Sequence, residues 1–149
     1  MTATTATLPT TLAANQGRAA RIGLTTARVL LGLLFLLAGA SGLVMVLAHL
    51  PVPPQPGLAG AFMDVFFKSH WVLFVKATEL VAGALILANR FVPLGLALLG
   101  AVLPNILFFH LSMEPSGLPV PLVLTALWAV LVARRYWAYF APLFTARAD

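Results

Sequence analysis

A lysine and a glutamate three residues apart, Lys76 and Glu79, sit inside an apolar stretch running from Trp71 to Ala88. Each charge at the centre of a membrane-spanning helix costs about 2.5–3.5 kcal/mol on insertion scales, so both require a reason. On a helix the two share a face and can pair. Two chemistries fit. The pair can act as a buried lock on helix register, a weak stabiliser compared with apolar replacements. Alternatively, it can donate and accept protons at a bound molecule, the usual role of ionisable groups inside membranes. Ser41, Asn105 and Thr125 fall at about the depth of Lys76 if the chain crosses a bilayer four times. Phe35, Phe108 and Trp128 would supply apolar walls, and Arg28 and His110 complete the candidate set. A few polar groups among aromatic walls suit a small amphipathic ligand. In that reading Lys76 donates to a carbonyl or phenolate oxygen, Glu79 accepts or relays a proton, and Asn105 orients a ring.

The three histidines, His49, His70 and His110, form a second group at one end of the apolar stretches, with Asp64 and Glu114 nearby. With those acids they could bind a divalent metal, but their spacing matches no metal motif, interfacial histidines are common, and no metal is expected. There is no cysteine, which excludes thiol–disulfide chemistry carried by this chain. No phosphate loop, nucleophile triad or zinc signature is present.

The elements that must position these residues are four apolar stretches, about 29–50, 71–88, 91–109 and 118–133. A bilayer crossing needs about 20 apolar residues, and somewhat fewer can suffice. Hydrophobic residues make up 61% of the 149 and charged residues 9%, too few to cover a water-facing surface. The expected fold is an all-α integral membrane four-helix transmembrane bundle occupying residues 24–149. Residues 1–23, Thr/Ala-rich and without an acid, read as a mobile cytoplasmic tail. That composition also suits an organelle transit peptide, while the Ala/Leu/Arg/Pro bias points to a GC-rich bacterium.

Arg18, Arg21, Arg28, Arg90, Arg134, Arg135 and Arg147 all fall on one side of a four-span chain, against Lys68 alone on the other. That asymmetry predicts cytoplasmic termini in a bacterial inner (plasma) membrane. The net charge of +5 is then matched by membrane lipids rather than nucleic acid. Pro51, Pro53, Pro54 and Pro56 break the chain after the first span, and Glu114–Gly117 forms a turn. Leu58–Ser69, with Phe62, Phe66 and Phe67, reads as a short interfacial helix in the first outer loop. Tyr136, Trp137, Tyr139 and Phe140 suggest another along the inner surface. Helices in lipid associate through small residues, so inward faces are expected at Arg28, Gly32, Phe35, Gly39, Gly42, Val46 and His49 in span one. In span two the inward face is Lys76, Glu79, Gly83 and Arg90. In span three it is Leu94, Leu98, Ala101, Asn105 and Phe108, and in span four Thr125, Ala129 and Ala133.

With RVLLGLLFLLAGASGL opening span one, KATELVAGALILANRFVPLGLALLG across spans two and three, NILFFHL ending span three and SGLPVPLVLTALWAVLVARRYWAYFAPL at the end, the chain resembles the DoxX-like membrane family. The resemblance covers nearly everything after the tail. It implies a four-helix membrane bundle, with relatives among small subunits of a terminal quinol oxidase and a thiosulfate:quinone oxidoreductase. Its branches that use paired cysteines do not fit this chain. The resemblance transfers no catalytic residue. The expected function is an accessory subunit of a quinone-linked redox system, with a quinone as ligand, membrane redox subunits as partners and a homo-oligomer as a further assembly. The alternative is a non-catalytic membrane assembly or interaction protein. A small-solute transporter fits less well, because four short helices without inverted repeats make a poor alternating-access machine.

Overall fold

The computed structural model describes residues 10–146. Among them all regular structure is helical. Helix α1 spans Thr10–Leu47, α2 Gly57–Lys68, α3 Trp71–Leu87, α4 Val92–Ser112 and α5 Pro119–Leu131. A 3-10 turn, Pro115–Gly117, joins α4 to α5. After α5 the chain continues through a π-helical turn at Val132–Tyr136, the short helix α6 at Trp137–Phe140 and a 3-10 turn at Ala141–Phe144.

Helix α1 starts earlier than the apolar pattern suggested. No proline lies between Pro9 and Pro51, and the intervening segment is rich in alanine, the best helix former. The helix therefore runs back through residues 10–23 of the segment read as a tail. Residues 1–9 and Arg147, one of the seven arginines used to orient the chain, lie outside the described residues. At the other end, His49 takes φ 52° and the proline-rich stretch Pro51–Pro56 follows without regular structure.

Helices α1, α3, α4 and α5 close into a ring. Each packs on the next, and α5 returns to α1. The α1–α3 contact is the closest and runs antiparallel. A Cβ on Gly32 would come within 2.8 Å of the Leu87 backbone nitrogen, and one on Gly39 within 2.7 Å of the Lys76 carbonyl oxygen. Gly83 faces Gly32 and Leu36 in return. These glycines let two backbones approach as no larger residue would. Leu31, Phe35, Ala82, Ile86, Leu96, Leu99, Leu103 and Leu131 fill the centre of the ring.

The outside is apolar as well. Leu30, Leu33, Leu34, Leu37, Val44, Phe74, Val81, Leu94, Phe108, Val123 and Val130 are all exposed. An apolar exterior of this extent belongs in lipid. Gly17–Leu47, Val92–Ser112 and Pro119–Phe144 are each long and apolar enough to cross a membrane. Helices α2 and α3 meet at 85°, and they raise the number to four if that bent pair counts as one span. Helix α3 alone has 17 residues, about 25 Å at 1.5 Å per residue, the short limit for a crossing.

Several expected faces turn the other way. In α4, Leu94, Ala101, Asn105 and Phe108 point outward, and the buried face is Val92, Gly95, Leu96, Leu99, Val102 and Leu103. In α5, Ala129 is exposed, as is Ala133 just beyond it, whereas Pro121, Leu131 and Val132 are buried. Both helices are apolar all round, so polarity along the sequence carries no direction. Gly95 sets the true face of α4, because a Cβ there would meet the Ala82 carbonyl and the Ile86 side chain. Arg90 lies past the end of α3 and is exposed. The Leu58–Ser69 surface helix appears as α2, steeply angled to α3, with Phe62 against Phe109 at 5.3 Å between ring centroids. The C-terminal aromatic segment continues the path of α5 as part of one 26-residue run. Tyr136 is buried in that run, and Arg135 lies over its ring and donates to Thr25 Oγ1 of α1 at 3.2 Å.

Candidate functional site

Lys76 and Glu79 lie one turn apart on α3, where helical spacing brings them to the same face. Lys76 Nζ donates to Glu79 Oε2 at 2.8 Å. Glu79 is closed off, with 2% of its side chain exposed, while Lys76 keeps 25%. Helix α1 packs against the lysine. The lysine stem lies over Gly42, where an added Cβ would meet Cγ, Cδ and Cε of Lys76. One turn earlier Gly39 sits against the Lys76 carbonyl and the Leu80 backbone. The glycine seam thus does two things at once: it brings α1 and α3 together, and it makes the slot in which the lysine stem runs.

Arg28 sits at the opposite end of the same seam and is also buried. Its Nη1 donates to the carbonyl oxygens of Ile86 and Leu87, the second at 3.3 Å. These are the last carbonyls of α3, where helical partners run out; Ile86 O also accepts from Asn89 N at 3.2 Å. A guanidinium there supplies both hydrogen bonds and charge opposite to the negative helix end. Arg28 Nε is buried and makes no hydrogen bond.

The remaining candidates are not drawn toward Lys76. Asn105 is exposed and its Nδ2 donates to Ala101 O at 2.8 Å, on its own helix. Ser41 Oγ donates to Ala38 O at 3.2 Å and Thr125 Oγ1 to Pro121 O at 2.7 Å, again within their helices. A hydroxyl or amide facing lipid satisfies itself on the nearest turn of backbone. Trp128 bridges α5 to α4: its Nε1 donates to Leu96 O at 2.7 Å and its ring covers Gly100. Phe35 is core. The polar groups placed at one depth by sequence are therefore spread around the ring, because depth along a helix says nothing about its rotation.

His110 belongs to another arrangement, unmarked in the sequence apart from its i,i+4 spacing to Glu114. Its Nδ1 lies 2.9 Å from Glu114 Oε2 and 3.0 Å from Glu114 O. Both partners are acceptors, so the hydrogen sits on Nδ1. Ser116 Oγ donates to Glu114 Oε1, and Gly117 N donates to Oε2 at 3.0 Å. The Ser116 hydroxyl, above all, holds the Glu114 carboxyl below its usual range, with His110 and the Gly117 N–H adding to it and burial opposing. This is a carboxylate capping a 3-10 turn, and it fixes the entry to α5.

Among the described residues no three of His, Cys, Asp or Glu gather in a way that would hold a metal ion. Two open clefts lie at the arginine-poor end. One, of about 420 Å³, is lined by residues from the end of α1 and the α2–α3 junction, including His49 and His70. The other, of about 330 Å³, lies under the proline-rich stretch against α2. Neither is lined by Lys76 or Glu79. Compared with known protein families, with curated proteins and with solved structures, the chain finds no match.

Proposed function

We propose that this chain is a four-span integral protein of a bacterial inner membrane, with cytoplasmic termini, and that it serves as a non-catalytic assembly or interaction subunit. One observation carries the reading. Lys76 and Glu79 have each other as partner and the lysine stem lies against the α1 glycines, so the pair acts as a lock on the register of α1 against α3. The arginine asymmetry and the resemblance to DoxX-like proteins, small members of larger membrane complexes, support it.

The test compares one double variant with the parent in detergent. Replacing both partners, Lys76→Met with Glu79→Leu, should leave thermal stability close to the parent, as apolar replacement of buried pairs commonly does. Extraction of lipids from the purified parent should yield no stoichiometric quinone. Topology is checked separately. Cysteines introduced at Pro53 and Ser116 should react with an impermeant thiol reagent from outside, and one at Asn89 should not.

A second reading, a quinone-binding accessory of a redox complex, rests on the residual exposure of Lys76. A quarter of its side chain is open at the bundle surface, where a lipid-soluble carbonyl compound would approach. A stoichiometric quinone that the double variant loses would establish this reading and displace the first.

A further inference from the structure

The three histidines differ in what they are free to do. His110 is committed to Glu114. Among the described residues, His49 and His70 make no side-chain hydrogen bond, and both line the same 420 Å³ cleft although they lie on separate segments of chain. Both occupy left-handed backbone, at φ 52° and 61°. His49 is in the turn that ends α1, and His70 is the residue before α3. Histidine is among the residues that tolerate this conformation, so the turns alone account for the backbone. They do not account for two unpartnered imidazoles on one cleft. Met45, one turn before His49, lines the cleft as well, with Phe67, Leu50 and Leu73 as apolar walls.

We propose that this cleft binds a monovalent copper ion through the imidazoles of His49 and His70 and the thioether of Met45.

The donor set selects the metal. Two imidazole nitrogens and one sulfur form a soft, uncharged site, and thioether ligands favour Cu(I). Calcium and magnesium need carboxylate and carbonyl oxygens. No carboxylate lines the cleft, and the nearest acids in sequence are engaged, Asp64 with Lys68 at 2.6 Å and Glu79 with Lys76 at 2.8 Å. Structural zinc takes four ligands, commonly with thiolates, and this chain has no cysteine. Without an anionic ligand, a singly charged ion costs less to bring against the apolar walls than a doubly charged one. The proposal stands apart from the assembly reading and does not use Lys76 or Glu79.

The experiment uses the full chain in lipid nanodiscs, purified without a histidine tag. It is titrated anaerobically with Cu(I) in competition with a coloured Cu(I) chelator. The parent should take up one Cu(I) per chain. His49→Asn and His70→Asn keep a residue that accepts left-handed backbone, and each should weaken binding at least tenfold. Met45→Leu should remove sulfur from the X-ray absorption signal of the bound copper. His110→Asn should bind as the parent does. Circular dichroism of each variant should match the parent. Failure of the parent to take copper from the chelator overturns the proposal. So does a His49→Asn/His70→Asn double variant that binds like the parent, or a loss of binding caused by His110→Asn.

Discussion

Two of the acid–base pairs among the described residues are nearly equal in length but lie in very different surroundings. In the α1–α3 seam, Lys76 and Glu79 meet at 2.8 Å with the glutamate closed off from outside. In the α4–α5 turn, His110 and Glu114 meet at 2.9 Å with both side chains partly exposed. The first pair is held from outside itself, by the backbone of another helix. The second is held from within, by Ser116 and Gly117 of its own turn. Contact distance is therefore a poor guide to what a pair contributes; the surroundings of the unpaired partner decide the cost of breaking it.

The sharpest way to break this comparison is to remove one partner of the seam pair. Glu79→Leu should leave Lys76 charged and unpaired, at a cost of about 3–5 kcal/mol, read as a lowered midpoint in detergent unfolding. A Glu79→Leu chain as stable as the parent would show that the lysine finds another partner and that the pair is no lock.

Next in size is Gly39→Ala. The added Cβ meets the Lys76 carbonyl and the Leu80 backbone, neither of which can move without shifting α3. Overpacking of this kind costs about 1–3 kcal/mol. Gly42→Ala should cost less, because there the nearest atoms to the Cβ belong to the lysine stem, which can swing aside. Equal losses at the two positions, measured by the same unfolding midpoints, would mean that the slot for the lysine is as rigid as the backbone.

The smallest effect is expected at the turn. The folded-state pKa of Glu114 lies below its ordinary 4.5. Its contribution to stability is thus fully present above the ordinary carboxylate range and is lost as pH falls through the lowered folded value. Glu114→Gln should remove that acid-side dependence by lowering the neutral midpoint slightly, toward the value the parent reaches in acid. A parent and a Glu114→Gln chain with the same profile below 4.5 would show that the turn does not sense its carboxylate.

Much of this was legible in the residues themselves. Proline clusters and long apolar runs mark where helices begin and end, because a missing N–H and a hydrocarbon-length stretch act locally. The α1 seam was legible from Arg28 to Gly42, since glycines recurring at helical spacing have no other use in an apolar helix than close approach; its expected end at His49 is exposed, beyond the helix. The Lys76–Glu79 pairing follows from a three-residue spacing and nothing further away. Tertiary structure alone decided the rotation of α4 and α5, which turned Asn105 and Phe108 away from the core and kept Asn105 apart from Lys76. It alone placed Arg28 on the last carbonyls of α3 and brought His49 and His70 to one cleft. The physical reason is the same in each case. A helix apolar on every side has no preferred face of its own, and which groups meet across it is set by the shape of the neighbour it packs against.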